Sequence, residues 1–144
     1  MNLLSDLPIG VQNFEDLRER RFLYVDKTQY VRDLVRGKVY FLSRPRRFGK
    51  SLMLSTLAAY FEGKKDIFAG LALEQAELTL AAAQGREVWI EYPVFYLNLN
   101  DSNYEEPTSL PILLNDRLCK WEAIYGADAS EQDYYSRFRG LIHR

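Results

Sequence analysis

Residues 39–52 read VYFLSRPRRFGKSL, and the fold prediction depends on this stretch. Val39–Leu42 is a short run of β-branched, aromatic and aliphatic residues, which is typical of a buried strand. Pro45 ends that run, and a helix is predicted over residues 50–61. A strand, a glycine-containing turn and a helix in this order are the setting of a phosphate-binding loop.

Gly49-Lys50-Ser51 matches the end of the phosphate-binding motif G-x-x-x-x-G-K-[ST]. In such a loop, backbone N–H groups and the positive end of the following helix face an anion. Lys50 would contact the β- and γ-phosphates of a nucleoside triphosphate, and Ser51 would supply a hydroxyl ligand to Mg²⁺. No catalytic residue is predicted. The predicted nucleotide-binding residues are Arg46, Arg47, Phe48, Gly49, Lys50, Ser51 and Leu52.

Arg44 stands where this motif has its first glycine. A glycine adopts backbone angles that arginine resists, so the motif by itself leaves other interpretations open. One is a solvated basic turn that binds nothing. Another is a nucleic-acid contact through Arg46 and Arg47, although only Phe48 is interleaved among the basic residues and the formal net charge is −1.

The charged residues are unevenly distributed along the chain. Residues 32–50 contain seven basic side chains and one acidic side chain, which makes this segment a candidate anion site. Residues 101–133 contain eight acids and two bases, which is more typical of a solvated surface.

The composition is that of an ordinary globular protein of 144 residues, with 47% hydrophobic and 27% charged residues. A single cysteine and a single histidine exclude an internal disulfide and a zinc site built from histidine and cysteine. No apolar run approaches the roughly 20 residues of a membrane span, and residues 1–10 lack the pattern of a secretory signal. We therefore expect a reducing, cytoplasmic setting and no membrane partner.

The rest of the chain is predicted to be mainly helical. A second strand is predicted over Val94–Leu97. Helices are predicted from the capping Asn13 to Arg20, over residues 28–36 and 71–84, from Ser109 to Tyr125, and after a capping Ser130.

Two strands joined by long helical crossovers predict an α/β fold of the P-loop NTPase type, with three layers, parallel strands and flanking helices. A sheet usually has about 5–6 strands, so we expect this chain to be a truncated, N-terminal part of a longer protein. Within it, residues 1–38 are expected to form a helical lead-in. Residues 39–144 are expected to form a partial P-loop core that shares one domain with the lead-in.

Several separated segments resemble one family. In order along the chain they are Leu7–Gly10, Phe14, Tyr24–Thr28 and Arg44–Leu52. Together they look like the N-terminal part of the AAA-ATPase-like family of bacterial and archaeal proteins, whose loop is commonly written Pro-Arg-Arg-Phe-Gly-Lys-Ser without the leading glycine. Residues 92–97 resemble the next strand of the family.

The resemblance implies an ATP-binding P-loop domain, with ATP and Mg²⁺ as cofactors. Longer members often carry a C-terminal nuclease-like domain of the PD-(D/E)XK type. The family's second acidic motif, an apolar strand ending in Asp-Glu, has no counterpart here, and the nearest imitation is Asp101. Enzymatic activity therefore stays undecided, and a non-enzymatic remnant or protein-interaction module is the alternative to an ATP-binding domain.

Asp26 and Lys27 lie before the predicted helix over residues 28–36. The side chain of Asp26 or of Thr28 is suited to cap that helix. The resemblance implies a second role, which is to place this segment near the nucleotide.

Overall fold

The computed structural model describes residues 6–43, 45–99 and 106–144. This part of the chain folds as two compact units, one ending at Val94 and the other beginning at Phe95. The predicted division into a lead-in and a core after residue 38 stays a prediction. The helices are α1 (Phe14–Glu19), α2 (Gln29–Val35), α3 (Lys50–Phe61), α4 (Ala72–Gln84), α5 (Ser109–Tyr125) and α6 (Tyr134–His143), with a short 3-10 helix at Lys65–Phe68.

The predicted α/β architecture with parallel strands is wrong. Within the described residues the regular elements are all helical, and neither Val39–Leu42 nor Val94–Leu97 forms a strand. A strand exists only through hydrogen bonds to a neighbouring strand, and the described chain offers neither segment such a neighbour. Val39 and Phe41 are accordingly 89% and 93% exposed, although the sequence predicted that this run would be buried.

The first unit is built around a small aromatic core. Phe14 of α1 and Phe68 of the 3-10 helix are fully buried, with ring centroids 5.0 Å apart. The Trp89 ring also stacks on the Phe68 ring, with centroids 5.0 Å apart and the planes 28° from parallel. Helix α1 packs against α3, and α2 packs against α4. The core therefore joins the N-terminal helix to the helix that follows the glycine turn.

The N-terminus of α4 is capped by side chains from a distant part of the chain. Leu71, at the N-cap position, provides no capping side chain. Instead, Asp26 Oδ2 accepts a hydrogen bond from the Ala72 amide at 2.7 Å, and Thr28 Oγ1 accepts one from the Leu73 amide at 3.1 Å. The Thr28 hydroxyl donates in turn to Asp26 Oδ1 at 2.7 Å, so the two capping residues hold each other in place.

The second unit is held together by α5 and α6, which pack against each other. The ring of Phe95 makes edge contacts with Trp121 of α5 and Phe138 of α6, with centroids 5.1 and 5.7 Å away. Helix α6 begins with a capping box between Asp133 and Ser136. The prediction that Ser130 caps this helix is wrong. The N-cap residue is Asp133, and Ser130 lies three residues earlier and hydrogen-bonds to Asp128.

Candidate functional site

The turn before α3 contains two residues with left-handed backbone angles. The φ angle is +64° at Arg47 and +75° at Gly49. Successive residues of opposite handedness turn their N–H groups toward one side, which is the geometry of anion-binding backbone concavities. A non-glycine residue with positive φ is uncommon and is strained, and such residues concentrate at functional sites. The loop backbone is therefore a candidate anion cradle.

Helix α3 extends this cradle with its N-terminal amides. The first N–H group that bonds within the helix is that of Met53, which donates to the Gly49 carbonyl at 2.9 Å. The N–H groups of Gly49, Ser51 and Leu52 precede that bond in the chain, so the helix itself supplies no acceptor for them. Gly49 is the N-cap residue and has no side chain with which to cap them. These donors and the positive end of the helix dipole favour an anion at this position.

The Lys50 side chain closes the loop. Its Nζ donates to the Pro45 carbonyl at 3.1 Å, so the ammonium spans from the first turn of α3 back to the start of the turn. The ammonium thus lies on the loop that carries the amide donors. Ser51 is exposed in the first turn of α3, so its hydroxyl is accessible to a ligand.

Core contacts fix the helix that carries these donors. Thr56 and Ala59 are buried, and Leu52 and Leu57 pack against the aromatic core. The Ser55 hydroxyl accepts a hydrogen bond from the Phe14 amide at 3.0 Å, which ties α3 to the start of α1. The loop therefore projects from a well-supported helix.

A groove of about 690 Å³, which was not predicted from the sequence, lies in the first unit, and its lining includes Leu42 before the loop and Met53 after it. One wall is formed by α2 and residues 37–42, and the other by Met53, Leu54 and Leu57 of α3. Tyr40 holds the first wall in place, because its hydroxyl donates to the Asp33 carbonyl at 3.0 Å. Its ring lies so close to Gly37 that any side chain there would collide with it.

Of the predicted loop residues, Lys50 and Leu52 are half-buried and the others are exposed. Arg46, Arg47 and Phe48 are all exposed around the turn, and Phe48 is 62% accessible. Arg44 and Asp101 lie outside the described residues. In the part of the chain that the structure describes, no three histidine, cysteine, aspartate or glutamate side chains cluster as a metal site.

The predicted capping role of Asp26 and Thr28 was assigned to the wrong helix. Helix α2 has no side-chain cap, and both residues cap α4 instead. Partial burial acts to raise the pKa of Asp26, but the hydrogen bonds from Ala72 and Thr28 outweigh it, so the pKa lies below its usual value. One signal in the sequence could have indicated this. The N-cap position of α4 is Leu71, whose apolar side chain cannot accept a hydrogen bond, so any side-chain cap of α4 has to come from another part of the chain.

None of the helices in the described ranges is both long and apolar enough to cross a bilayer. A family model described as predicted AAA-ATPase matches residues 8–144 of the chain. A protein of Azotobacter chroococcum mcd 1, named an uncharacterized protein in the vnfD 5′ region, is 35% identical over 141 residues. The match covers 96% of this chain and 25% of that protein, so the chain spans about a quarter of its relative's length. No solved structure matches the chain.

Proposed function

The chain belongs to the AAA-ATPase-like family, and from this premise we propose that it binds ATP with Mg²⁺ through residues 46–52. The observation that carries the proposal is the hydrogen bond from Lys50 Nζ to the Pro45 carbonyl, which keeps the ammonium on the loop. When a triphosphate binds, its oxygens would take the place of that carbonyl as acceptors. Lys50 would then neutralise charge on the β- and γ-phosphates.

The amides around Gly49 would provide most of the hydrogen bonds to phosphate. They lie between a left-handed Arg47 and the first intrahelical bond at Met53, where the helix itself supplies no acceptors. Arg46 and Arg47 would add positive charge from the exposed side of the loop. Because the amides are fixed by the fold, phosphate binding requires little ordering of the backbone.

Mg²⁺ would be held mainly by the phosphates and water, with Ser51 as the ligand from the protein. Mg²⁺ commonly keeps several waters and takes few protein ligands besides substrate phosphates, so one hydroxyl is compatible with this arrangement. The ion would neutralise phosphate charge. This chain's own residues, Lys50 and the loop amides, would orient the triphosphate.

Titration calorimetry with ATP and Mg²⁺ tests the proposal on three proteins: wild type, Lys50→Ala and Lys65→Ala. Lys65 is the matched control, because it is an exposed lysine at the start of the 3-10 helix, away from the loop. Removing a charge-assisted hydrogen bond costs about 1.5–3 kcal/mol, so Lys50→Ala should weaken binding about 10- to 100-fold. Lys65→Ala should bind as the wild type does. Equal affinities for wild type and Lys50→Ala would exclude this assignment.

A second candidate function is contact with single-stranded nucleic acid. The exposed ring of Phe48 beside two exposed arginines supports it, since stacking aromatics combined with basic residues are the usual elements of such sites. This function predicts salt-sensitive retention on DNA that is lost in an Arg46→Glu, Arg47→Glu double variant. If the double variant is still retained on DNA and Lys50→Ala is not, the nucleic-acid function is contradicted.

A further inference from the structure

We propose that the groove beside the loop receives the base and ribose of the nucleotide whose phosphates lie on residues 46–52. This inference rests on the proposed function and adds a second subsite to it. The ligand class is a nucleoside triphosphate that is bound at both ends. Its phosphates would meet the amide cradle, and its flat base would lie between the apolar walls of the groove.

The groove and the loop are continuous along the chain at both ends of the loop. Leu42 lines the groove and stands three residues before Pro45, whose carbonyl accepts from Lys50. Met53 also lines the groove and stands one helical turn after Lys50. A helix rises about 1.5 Å per residue, so the groove begins within roughly 5 Å of the phosphate donors along the axis of α3. A ligand on the loop therefore has the groove within its reach.

The lining suits a flat, largely apolar group. Tyr30, Phe41 and Leu54 line the groove; Tyr30 and Leu54 are about half exposed, and Phe41 is 93% exposed. An aromatic base would cover this apolar surface and could stack on the rings. Small-molecule sites are typically concave, lined mainly by apolar and aromatic side chains, and about 300–1,000 Å³ in volume, and the groove has about 690 Å³.

Charged residues also line the groove, which fits a nucleoside better than a purely apolar ligand. Lys27 and Lys38 lie along it, together with Asp33. A base edge and a ribose present hydrogen-bond donors and acceptors that such groups can meet. The Asp33 carbonyl accepts a hydrogen bond from the Tyr40 hydroxyl, which fixes the backbone of this part of the wall before a ligand arrives.

Comparing ATP with inorganic tripolyphosphate, both with Mg²⁺, separates the two subsites by calorimetry. Wild type should bind ATP at least about tenfold more tightly than tripolyphosphate, since only ATP reaches the groove. Leu54→Trp should fill the groove and remove most of that preference without changing tripolyphosphate binding. Leu54→Gln, which preserves side-chain size and helix propensity, should reduce the preference by a smaller factor.

Leu78→Gln is the matched control, because Leu78 is 45% exposed on α4, Leu54 is 48% exposed on α3, and only Leu54 lines the groove. It should leave both affinities unchanged. Equal affinity of wild type for ATP and tripolyphosphate, or an unchanged preference in both Leu54 variants, would overturn the groove assignment while the phosphate loop stands. If neither ATP nor tripolyphosphate binds to the wild type, the proposed function is refuted, and the groove assignment is refuted with it.

Discussion

The carboxylate of Asp26 accepts a hydrogen bond from the backbone amide of Ala72, 46 residues further along the chain. This bond and its neighbour from Leu73 to Thr28 attach the segment before α2 to the start of α4. Because Lys27 between them lines the groove, the same contact helps to fix one wall of the candidate site. Residues that contribute to the resemblance to the family thus have a structural role here that is independent of any ligand.

We expect Asp26→Ala to lower the free energy of unfolding by about 1 kcal/mol at neutral pH, since it removes a helix cap. The folded-state pKa of Asp26 is lowered, so its contribution is complete above the unfolded value near 3.8 and is lost as the pH falls through the lower folded value. Urea unfolding at neutral and acidic pH measures this. The difference between the two proteins should shrink in acid. Asp66→Ala, an exposed acid on the 3-10 helix, is the control, and an equal loss in both variants would contradict the capping role.

The Tyr60 hydroxyl donates to Oε2 of the buried Glu77 at 3.0 Å, while Arg86 lies 2.7 Å from Oε1 of the same carboxylate. Burial, reinforced by the Glu77 carboxylate, raises the pKa of Tyr60 from 10.0 to about 12. The folded state therefore holds this proton more tightly than the unfolded chain. Its stabilising effect is complete below pH 10.0 and is lost as the pH rises toward about 12.

Tyr60→Phe should accordingly show a shallower loss of stability than wild type over this alkaline range. Denaturant unfolding at several pH values from neutral to alkaline measures the two slopes. Subtracting the ultraviolet titration of the variant from that of the wild type should leave one tyrosine that ionises late. Parallel stability curves for the two proteins would show that Tyr60 ionises normally.

Gly49 and Gly70 form a matched pair for testing the loop. Their φ angles are +75° and +77°, and neither has another atom within 4 Å of an added Cβ, so alanine meets backbone strain without a clash. Each Gly→Ala change should cost about 1 kcal/mol of stability, because the left-handed conformation penalises a Cβ. Gly49→Ala alone should also weaken ATP binding in calorimetry. Equal ATP affinity in the two variants would mean that the Gly49 backbone does not contact the phosphates.

In the second unit, Arg137 donates two hydrogen bonds to the Glu122 carboxylate, Nε to Oε1 and Nη2 to Oε2, each of 2.7 Å. Arg137→Lys should lower the thermal midpoint, since lysine keeps the charge but cannot form the two-pronged contact and leaves a largely buried carboxylate poorly paired. We expect the free energy of unfolding to fall by about 2 kcal/mol. Lys120→Ala breaks an exposed pair with Asp116 and should cost no more than about 0.5 kcal/mol. Similar losses of stability in the two variants would show that the paired hydrogen bonds between Arg137 and Glu122 do not add to the stability.

The hydrogen bonds from Arg137 also lower the pKa of Glu122 below its usual value near 4.5. The stability that this pair contributes is present above that value and is lost as the pH falls through the lowered pKa. Acid unfolding of the wild type should therefore begin at a lower pH than that of Arg137→Lys. Circular dichroism along a pH titration measures the two midpoints, and coincident midpoints would contradict this coupling.

Local patterns in the sequence were enough to locate most helices. Asn13 caps α1 as predicted, with its Oδ1 accepting from the Glu15 amide at 2.8 Å, and α3 has the predicted bounds. Capping residues, apolar spacing and glycine stops act over a few residues, so they can be read from the sequence directly. The residues of the candidate phosphate loop could be predicted for the same reason, since they are contiguous in the chain, and their role stays a prediction.

Features that depend on distant residues could not be read in this way. The strand predictions at residues 39–42 and 94–97 failed. An apolar run shows that a segment is suited to a strand, but it does not show whether a neighbouring strand is available to pair with it. The cap on α4 and the groove both join segments that lie far apart in the chain, and no local pattern encodes which segments meet. The sequence by itself therefore determined the helices and the glycine turn that makes an anion cradle possible. Only the tertiary structure decided which helix Asp26 caps and what surface lies beside the loop, because packing brings those segments together.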